Sequence, residues 1–468
     1  MKNLITTLIL LFTALNLNSA THTVTNGNDS GEGSLRQIVA EANPNDTIIF
    51  LSNVSTVTLT NGQITINKNL TINGGSGDKR VVISRYIDTV HNIHIGIFRI
   101  TVADIDFRIN NLIIENGKGN AGGGGLELRG QNNNFIATNC IFRNNTIYGA
   151  LAVFGNHIVI TKDCLFEQNQ SQANGAAVFV GYGSTNFIAT NCVFVNNISE
   201  SGGGAVALSF GGPRFYSVNN TFTNNNAFGG GVATVHTSYI HLHHSTFDKN
   251  QAKDSAGAMF IHNTATFYTY NSIYTGNTEN GIVSEVGQIR GTVSGNGKNL
   301  IENGTTVTRE KVFGKNEYKD GYIMPLAFAK SAPRLTKLDI EVPEGIEADS
   351  IITWLLKDQR GEDRSSDTVT FGAVEFDGVG IREDGSFDIL ILPNPTDRDF
   401  NIIFDNPETQ KVSIDLIDIE GKIIFSIFDG VVSAGIQVYR VNETLASGVY
   451  FVRFVFGNKV MLRKVVVV

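Results

Sequence analysis

The chain has 468 residues, a net charge of −8, only 17% charged side chains and 49 glycines, with asparagine about as common as glycine. Charge well below the roughly 25% of ordinary domains, with two residues that tolerate left-handed backbone, excludes helical bundles and favours short strands joined by tight turns. Hydrophobic content of 41% excludes global disorder, and the acidic balance leaves no basic face for a nucleic-acid partner.

Met1–Ala20 (MKNLITTLILLFTALNLNSA) carries one lysine, an apolar run and small polar residues, so 1–20 is expected to be a signal peptide cleaved after Ala20. The run falls short of the ~20 apolar residues of a spanning helix, and no later stretch qualifies, so no transmembrane segment is expected in the mature chain. Residues 21–54 read as an N-terminal cap. Within it Ser34 and Gln37 form a capping box, Leu35, Ile38, Val39 and Ala42 share one helical face, and Pro44 ends the helix.

From 55 to 320 the chain repeats. An aromatic anchor recurs at Phe142, Phe166, Phe194, Phe222, Phe247 and Tyr274, headed by Ile114, at separations of 28, 24, 28, 28, 25 and 27 residues. Seven positions earlier stand Phe107, Phe135, Val159, Phe187, Phe215, Ile240 and Phe267, the inward face of a strand. Asparagine marks two corners: Asn111, Asn139, Asn191, Asn219 and Asn271 before the anchor (Asp163 and His244 take their place once each), and Asn145, Asn169, Asn197, Asn225, Asn250 and Asn277 after it. At both corners it is expected to bond its own backbone and accept left-handed geometry. A second strand, opened by glycine, follows each anchor, as in GGLELR from Gly124 and GAVALS from Gly204. Cys140, Cys164 and Cys192 fall on one repeat position and are expected to be small buried hydrophobes. A unit of this kind buries its apolar face only by stacking. The expected fold is all-β: a right-handed parallel β-helix (solenoid) of about nine coils at ~4.8 Å each, with a short N-terminal capping helix. A closing segment and linker occupy 321–385. Strand-like runs at 398–404, 411–418, 422–428, 436–441, 448–456 and 459–468 then make 386–468 a small antiparallel β-sandwich.

Several motifs carry family resemblances. The GSLR of 33–36 and the NCxFxxN repeats resemble secreted bacterial right-handed β-helix proteins of the pectate-lyase-like kind. Asp358-Gln-Arg-Gly361, Arg364 and Gly372-Ala-Val-Glu375 resemble the closing motif of choice-of-anchor Q proteins. Pro393-Asn394-Pro395, VSIDLIDIEGK (412–422), LASGVYFV (445–452) and the terminal Lys464-Val-Val-Val-Val468 resemble the sorting domain of the type IX secretion system. The resemblance implies export through the periplasm to the cell surface or medium, with 386–468 engaging the secretion machinery.

Pectate lyases of this resemblance hold Ca²⁺ with clustered acidic residues and use an arginine base. The nearest catalytic candidates are Asp104, Asp106 and Arg108, expected with Asn110 to point outward along one strand. Facing residues on the next coils, Asn134, Ile136 and Thr138, then Ile158, Ile160 and Lys162, supply no acidic partner. No metal or other cofactor is therefore expected, with Ca²⁺ confined to the lyase reading. Ligand-binding candidates are Tyr216, His241, His243, Tyr268 and Tyr270, on an outward stripe continuing Ile136, Ile160 and Ile188. The stripe is read first as a face covered by 280–345 or the tail, and second as a surface for stacking sugar rings. The favoured function is a non-catalytic, adhesin-like or glycan-binding exported protein whose partner is an extracellular or cell-surface polysaccharide. The alternative is a polysaccharide lyase or glycoside hydrolase acting on an exterior groove.

Overall fold

The computed structural model describes residues 19–75, 79–87, 94–119, 122–294, 298–319, 321–333, 335, 354–364, 369–376, 389–392, 396, 400–406, 409–433, 435–443, 445–457 and 459–467. The expected signal peptide, apart from Ser19 and Ala20, and the Pro393-Asn394-Pro395 motif lie outside the described residues.

Three parallel sheets wrap the solenoid. The first has ten strands from Thr21–Val24 to Thr266–Tyr270, the second ten from Thr56–Leu59 to Leu300–Ile301, and the third nine from Ile64–Ile66 to Ile289–Arg290. A six-stranded ladder of two-residue strands, from Gln170–Ser171 to Ile282–Val283, joins the second sheet to the third. The solenoid begins earlier than position 55. Thr21–Val24 pairs in parallel with Asp46–Phe50, which pairs with Leu70–Asn73, so the segment expected as a cap contributes the first two rungs. The reason is local: Val24 and Ile48 alternate inward like every later rung. The capping helix, Leu35–Glu41, connects these two strands, with Leu35 and Val39 buried. Ser34 Oγ accepts from the Gln37 amide at 3.3 Å, as a capping box requires, but the Gln37 side chain donates to Glu41 instead of turning back.

The anchor column is continuous. Ring centroids from Phe142 through Phe166, Phe194, Phe222 and Phe247 to Tyr274 are 4.6–4.8 Å apart with planes within 7°. All six side chains are essentially inaccessible to solvent. Truncating one of them to alanine would cost roughly 3–5 kcal/mol. The two asparagine corners differ from each other. The first column does adopt left-handed backbone, with φ of 48–56° from Asn111 to Asn271, including Asp163 and His244. The second does not: there the left-handed residue is one position earlier, at Asn144, Gln168, Asn196, Asn224, Lys249 and Gly276. Asn145 to Asn277 are instead fully buried, and each side-chain oxygen accepts from the backbone N–H of the preceding rung at 3.0–3.1 Å. Each Nδ2 also donates to a backbone carbonyl such as Phe142 or Phe166. Gln288, fully buried, ends this ladder by exchanging hydrogen bonds with Asn277. The three cysteines are buried and free, and their thiols donate to neighbouring carbonyls at 3.2–3.8 Å.

After Ile301 the chain folds back along the first and second sheets. Asp248 and Arg309 pair at 2.7 Å, and Ala373 N–H donates to Thr246 Oγ1. A Cβ on Gly372 would stand 2.5 Å from that same oxygen and 2.7 Å from Ile273, and its φ of 84° favours glycine independently. Arg364 is the centre of the latch. Buried at 5% exposure, it donates to Asn219 Oδ1, to the carbonyls of Thr370, Gly372 and Ala373, and to Glu375. Burial pulls its pKa down to about 10 despite Glu375 and Asp358 nearby. Asp358, also fully buried, accepts from the amides of Arg360, Glu362 and Glu375 and from the Arg360 guanidinium.

The C-terminal part has its own core and two antiparallel sheets. Ile389–Leu392, Phe400–Asn406 and Gly435–Val441 form one, and Gln410–Ile417, Ile423–Val432, Gly448–Phe456 and Lys459–Val467 the other. Asp429-Gly430, expected to separate strands, lies within Ile423–Val432, whose bulges against the neighbouring strand absorb the irregularity. Phe456 faces Lys459 across the expected two-residue hairpin, with Gly457 at φ 54°.

Candidate functional site

The structure separates the residues singled out in the sequence. Asp106 and Arg108 do project outward from Asp106–Asn110 and pair with each other at 2.7 Å, while Asp104 sits before the strand at φ 59°, bonded by Asn132. The row therefore contains one self-neutralised pair and does not converge on a cation. Among the described residues no group of three His, Cys, Asp or Glu is arranged to hold a metal ion.

The aromatic stripe forms, but three of its five side chains are buried. Tyr216 stacks on His241 at 5.2 Å, His241 on Tyr268 at 4.8 Å, and His243 on Tyr270 at 5.3 Å. Tyr216, His241 and His243 are 3%, 3% and 1% exposed, and Tyr268 and Tyr270 are half-buried. The closing segment lies here: Val218 packs against Leu335, Trp354 and Leu355, and Asn219 Nδ2 donates to the carbonyls of Trp354 and Lys357. Tyr216, His241 and His243 thus belong to an internal joint and offer no open binding surface.

The third sheet is different. Among the described residues, no hydrogen bond or ion pair from 298–376 reaches it. In its strands Leu126, Leu128, Leu151, Val153, Val178 and Val180 point inward, while of the outward residues Glu127 and Ala152 are also buried and Phe179 is half-buried. At the outward positions and the turn that follows, aromatic side chains accumulate from rung to rung. Arg129 lies 4.2 Å over the Phe154 ring, which contacts Phe179 at 5.6 Å and Tyr182 at 6.3 Å. Further along, Phe210 meets His236 at 5.8 Å, His236 meets His262 at 4.2 Å, and Phe260 meets His262 at 5.7 Å. Tyr182 is 68% and Phe210 58% exposed, large values for side chains that pay for exposure in water. Partial burial, and then the neighbouring His262, hold the His236 ring below its usual pKa, so at neutral pH it is an uncharged flat surface.

At one end of this ridge lies a charged pocket of about 340 Å³. Glu127, 6% exposed, is held between Arg99, at 3.1 Å, and Arg129. Two guanidinium groups offset the desolvation of the carboxylate. The glycine run beside it has a steric reason: a Cβ on Gly122 would come within 2.4 Å of Glu127 Cδ. This face was missed in the sequence because the glycine-opened strands were recognised there as strands only, with no residues assigned to their outward side. The available signal was the ends of those strands, LAVF at 151–154, VFVGY at 178–182, ALSF at 207–210 and FIH at 260–262, together with a charged Glu127-Leu-Arg129 inside an otherwise apolar repeat.

Comparison with known proteins agrees with this architecture. Residues 390–468 match the family described as secretion system C-terminal sorting domain, and 88–247 match that described as right handed beta helix region. The protein is a right-handed parallel β-helix with a type IX sorting domain at its C-terminus, and that domain assigns it to export to the cell surface or extracellular space. No curated protein matches the chain. Among solved structures, the enzymatically active domain of tailspike protein 4 from bacteriophage CBA120 is similar at 13% identity and a TM-score of 0.25, over 90% of this chain and 63% of that one. The chain thus spans less than two thirds of that structure's length. No helix among the described residues is long and apolar enough to cross a membrane.

Proposed function

We propose that the exported protein binds polysaccharide, in an adhesin-like role, along the third face of its solenoid. The observation that carries this reading is the ridge of exposed Tyr182, Phe210 and His262 with half-buried Phe154, on a face that no hydrogen bond or ion pair from the described part of the closing segment reaches. Sugar rings present apolar CH faces that stack on such side chains, while hydroxyls and carboxylates suit the arginines at the end of the ridge. Catalysis on this exterior is the weaker reading. Glycoside hydrolysis by paired carboxylates needs two of them ~5–9.5 Å apart, and among the residues lining the pocket Glu127 is the one carboxylate, already held by Arg99 and Arg129.

The test is retention of the purified full chain on insoluble glycans and in gels loaded with soluble ones. The Phe154→Ala/Tyr182→Ala double variant should lose about tenfold in affinity for whatever glycan is retained, since each stacked aromatic contributes roughly 0.5–1.5 kcal/mol. Unchanged retention in that variant would defeat the assignment of the face. Release of reducing ends or of unsaturated products in the same samples would favour the lyase or hydrolase alternative.

A further inference from the structure

A second cavity, of about 620 Å³, lies where the closing segment stands over the second sheet. Its floor is aliphatic: Ile141, Leu165 and Val193 occupy one in-register outward column on successive rungs. One wall is Tyr322, whose ring lies 5.6 Å beneath the Arg360 guanidinium, which is itself fixed by buried Asp358 and the Glu375 carbonyl. Asp163 and Arg80 also line the cavity. They do not pair with each other: Arg80 bonds Asn139 through Nε and Nη2, and Asp163 Oδ1 accepts from Asn191 at 3.1 Å.

Asp163 is the informative residue. Its column is otherwise asparagine and histidine, and asparagines there pass hydrogen bonds from rung to rung, Asn139 to Asn111 and Asn219 to Asn191. A carboxylate cannot donate to Asn139, whose oxygen is served by Arg80 instead. Asparagine would meet the structural need at φ 53° at least as well, so the carboxylate costs the column a link. That loss is understandable if its charge faces a ligand. A flat aliphatic floor, a fixed tyrosine ring and an acceptor beside a donor together match one chemistry, a ring with an apolar face and equatorial hydroxyls. Charge on the rim is balanced, Asp163 against Arg80 and Arg360 against Asp358, so a charged ligand gains nothing.

We propose that this cavity is a second ligand site that takes a neutral sugar ring, stacked on Tyr322 with its hydroxyls bonded to Asp163 and Arg80, and that occupancy clamps the closing segment onto the solenoid. The site lies on the second face and does not depend on the third-face ridge. Calorimetric titration of the full chain with cellobiose, maltose, lactose and chitobiose, with digalacturonate as the charged control, tests it. At least one neutral disaccharide should bind, and should shield Lys319, which adjoins the lining residue Tyr318 and bridges to Tyr322, from trypsin. Asp163→Asn should weaken binding about tenfold, the worth of one charge-assisted hydrogen bond, without lowering the melting temperature. Tyr322→Ala should weaken it as well, and both losses should persist in a Phe154→Ala/Tyr182→Ala background, which separates this site from the ridge. Absence of neutral binding, binding of digalacturonate alone, or full affinity in Asp163→Asn would each overturn the proposal.

Discussion

Asn145 and its counterparts do work that tolerance of left-handed backbone does not explain. Each fills a buried corner with an amide whose oxygen and nitrogen are both bonded, one to the preceding rung's N–H and one to a carbonyl. Asn197→Ala would leave the Asn169 N–H and the Phe166 carbonyl without these partners. The expected loss is about 1–3 kcal/mol per unsatisfied group, read as a lower denaturation midpoint. His244, which replaces asparagine in the other column, makes stability depend on pH. Burial, then the charge of Arg364 and the neighbouring His243, hold its ring well below the usual histidine value. The unfolded chain takes up that proton near pH ~6.5 while the folded chain does not, so stability is fully present above that pH and falls as pH drops below it. Asp29 and Asp46 carry lowered pKa values and lose their contribution only in stronger acid, outside this window. Thermal melts at pH 7.5 and 5.5 should therefore show a drop that is smaller in His244→Asn, and an equal drop in both proteins would contradict this account.

At the scale of elements, the closing motif proves to be a latch. Asp358, Arg364, Gly372 and Glu375, singled out by resemblance, meet around one buried guanidinium and fasten the returning chain to Asn219 and Thr246. Removing Arg364 strands Glu375 in a buried position, a loss of roughly 3–5 kcal/mol for a broken buried pair. Arg364→Ala should thus release 354–376, seen as fast amide exchange in its described residues, while the paired strands of the solenoid, with the Phe142–Tyr274 column, stay protected. Uniform exchange across the whole solenoid would show that latch and prism unfold together. The same element explains why the stripe of Tyr216, His241 and His243 was ambiguous in sequence. Its outward alternation was correctly legible, but whether an outward residue meets water depends on an element with no repeat of its own.

For the whole molecule, two cores of separate composition, the phenylalanine-lined solenoid and the C-terminal sandwich of Phe400, Phe404, Phe454 and their neighbours, divide stability from delivery. Deleting 390–468 should leave a folded β-helix, with unchanged strand signal in circular dichroism, that fails to reach the cell surface. Normal surface display of that truncation would contradict the role of the sorting domain. The amino-acid sequence by itself determined the solenoid, its phenylalanine and asparagine columns and the address on its tail, because each rung repeats the same short-range choices and a period is visible in one dimension. Tertiary structure alone decided which exterior is open. Arg364 reaches Asn219 across 145 positions, a contact selected by the shape and unpaired hydrogen bonds of the finished prism, and that single folding-back covers the first face around Val218 and Asn219 and roofs the cavity beside Asp163, while among the described residues it makes no hydrogen bond or ion pair to the third face.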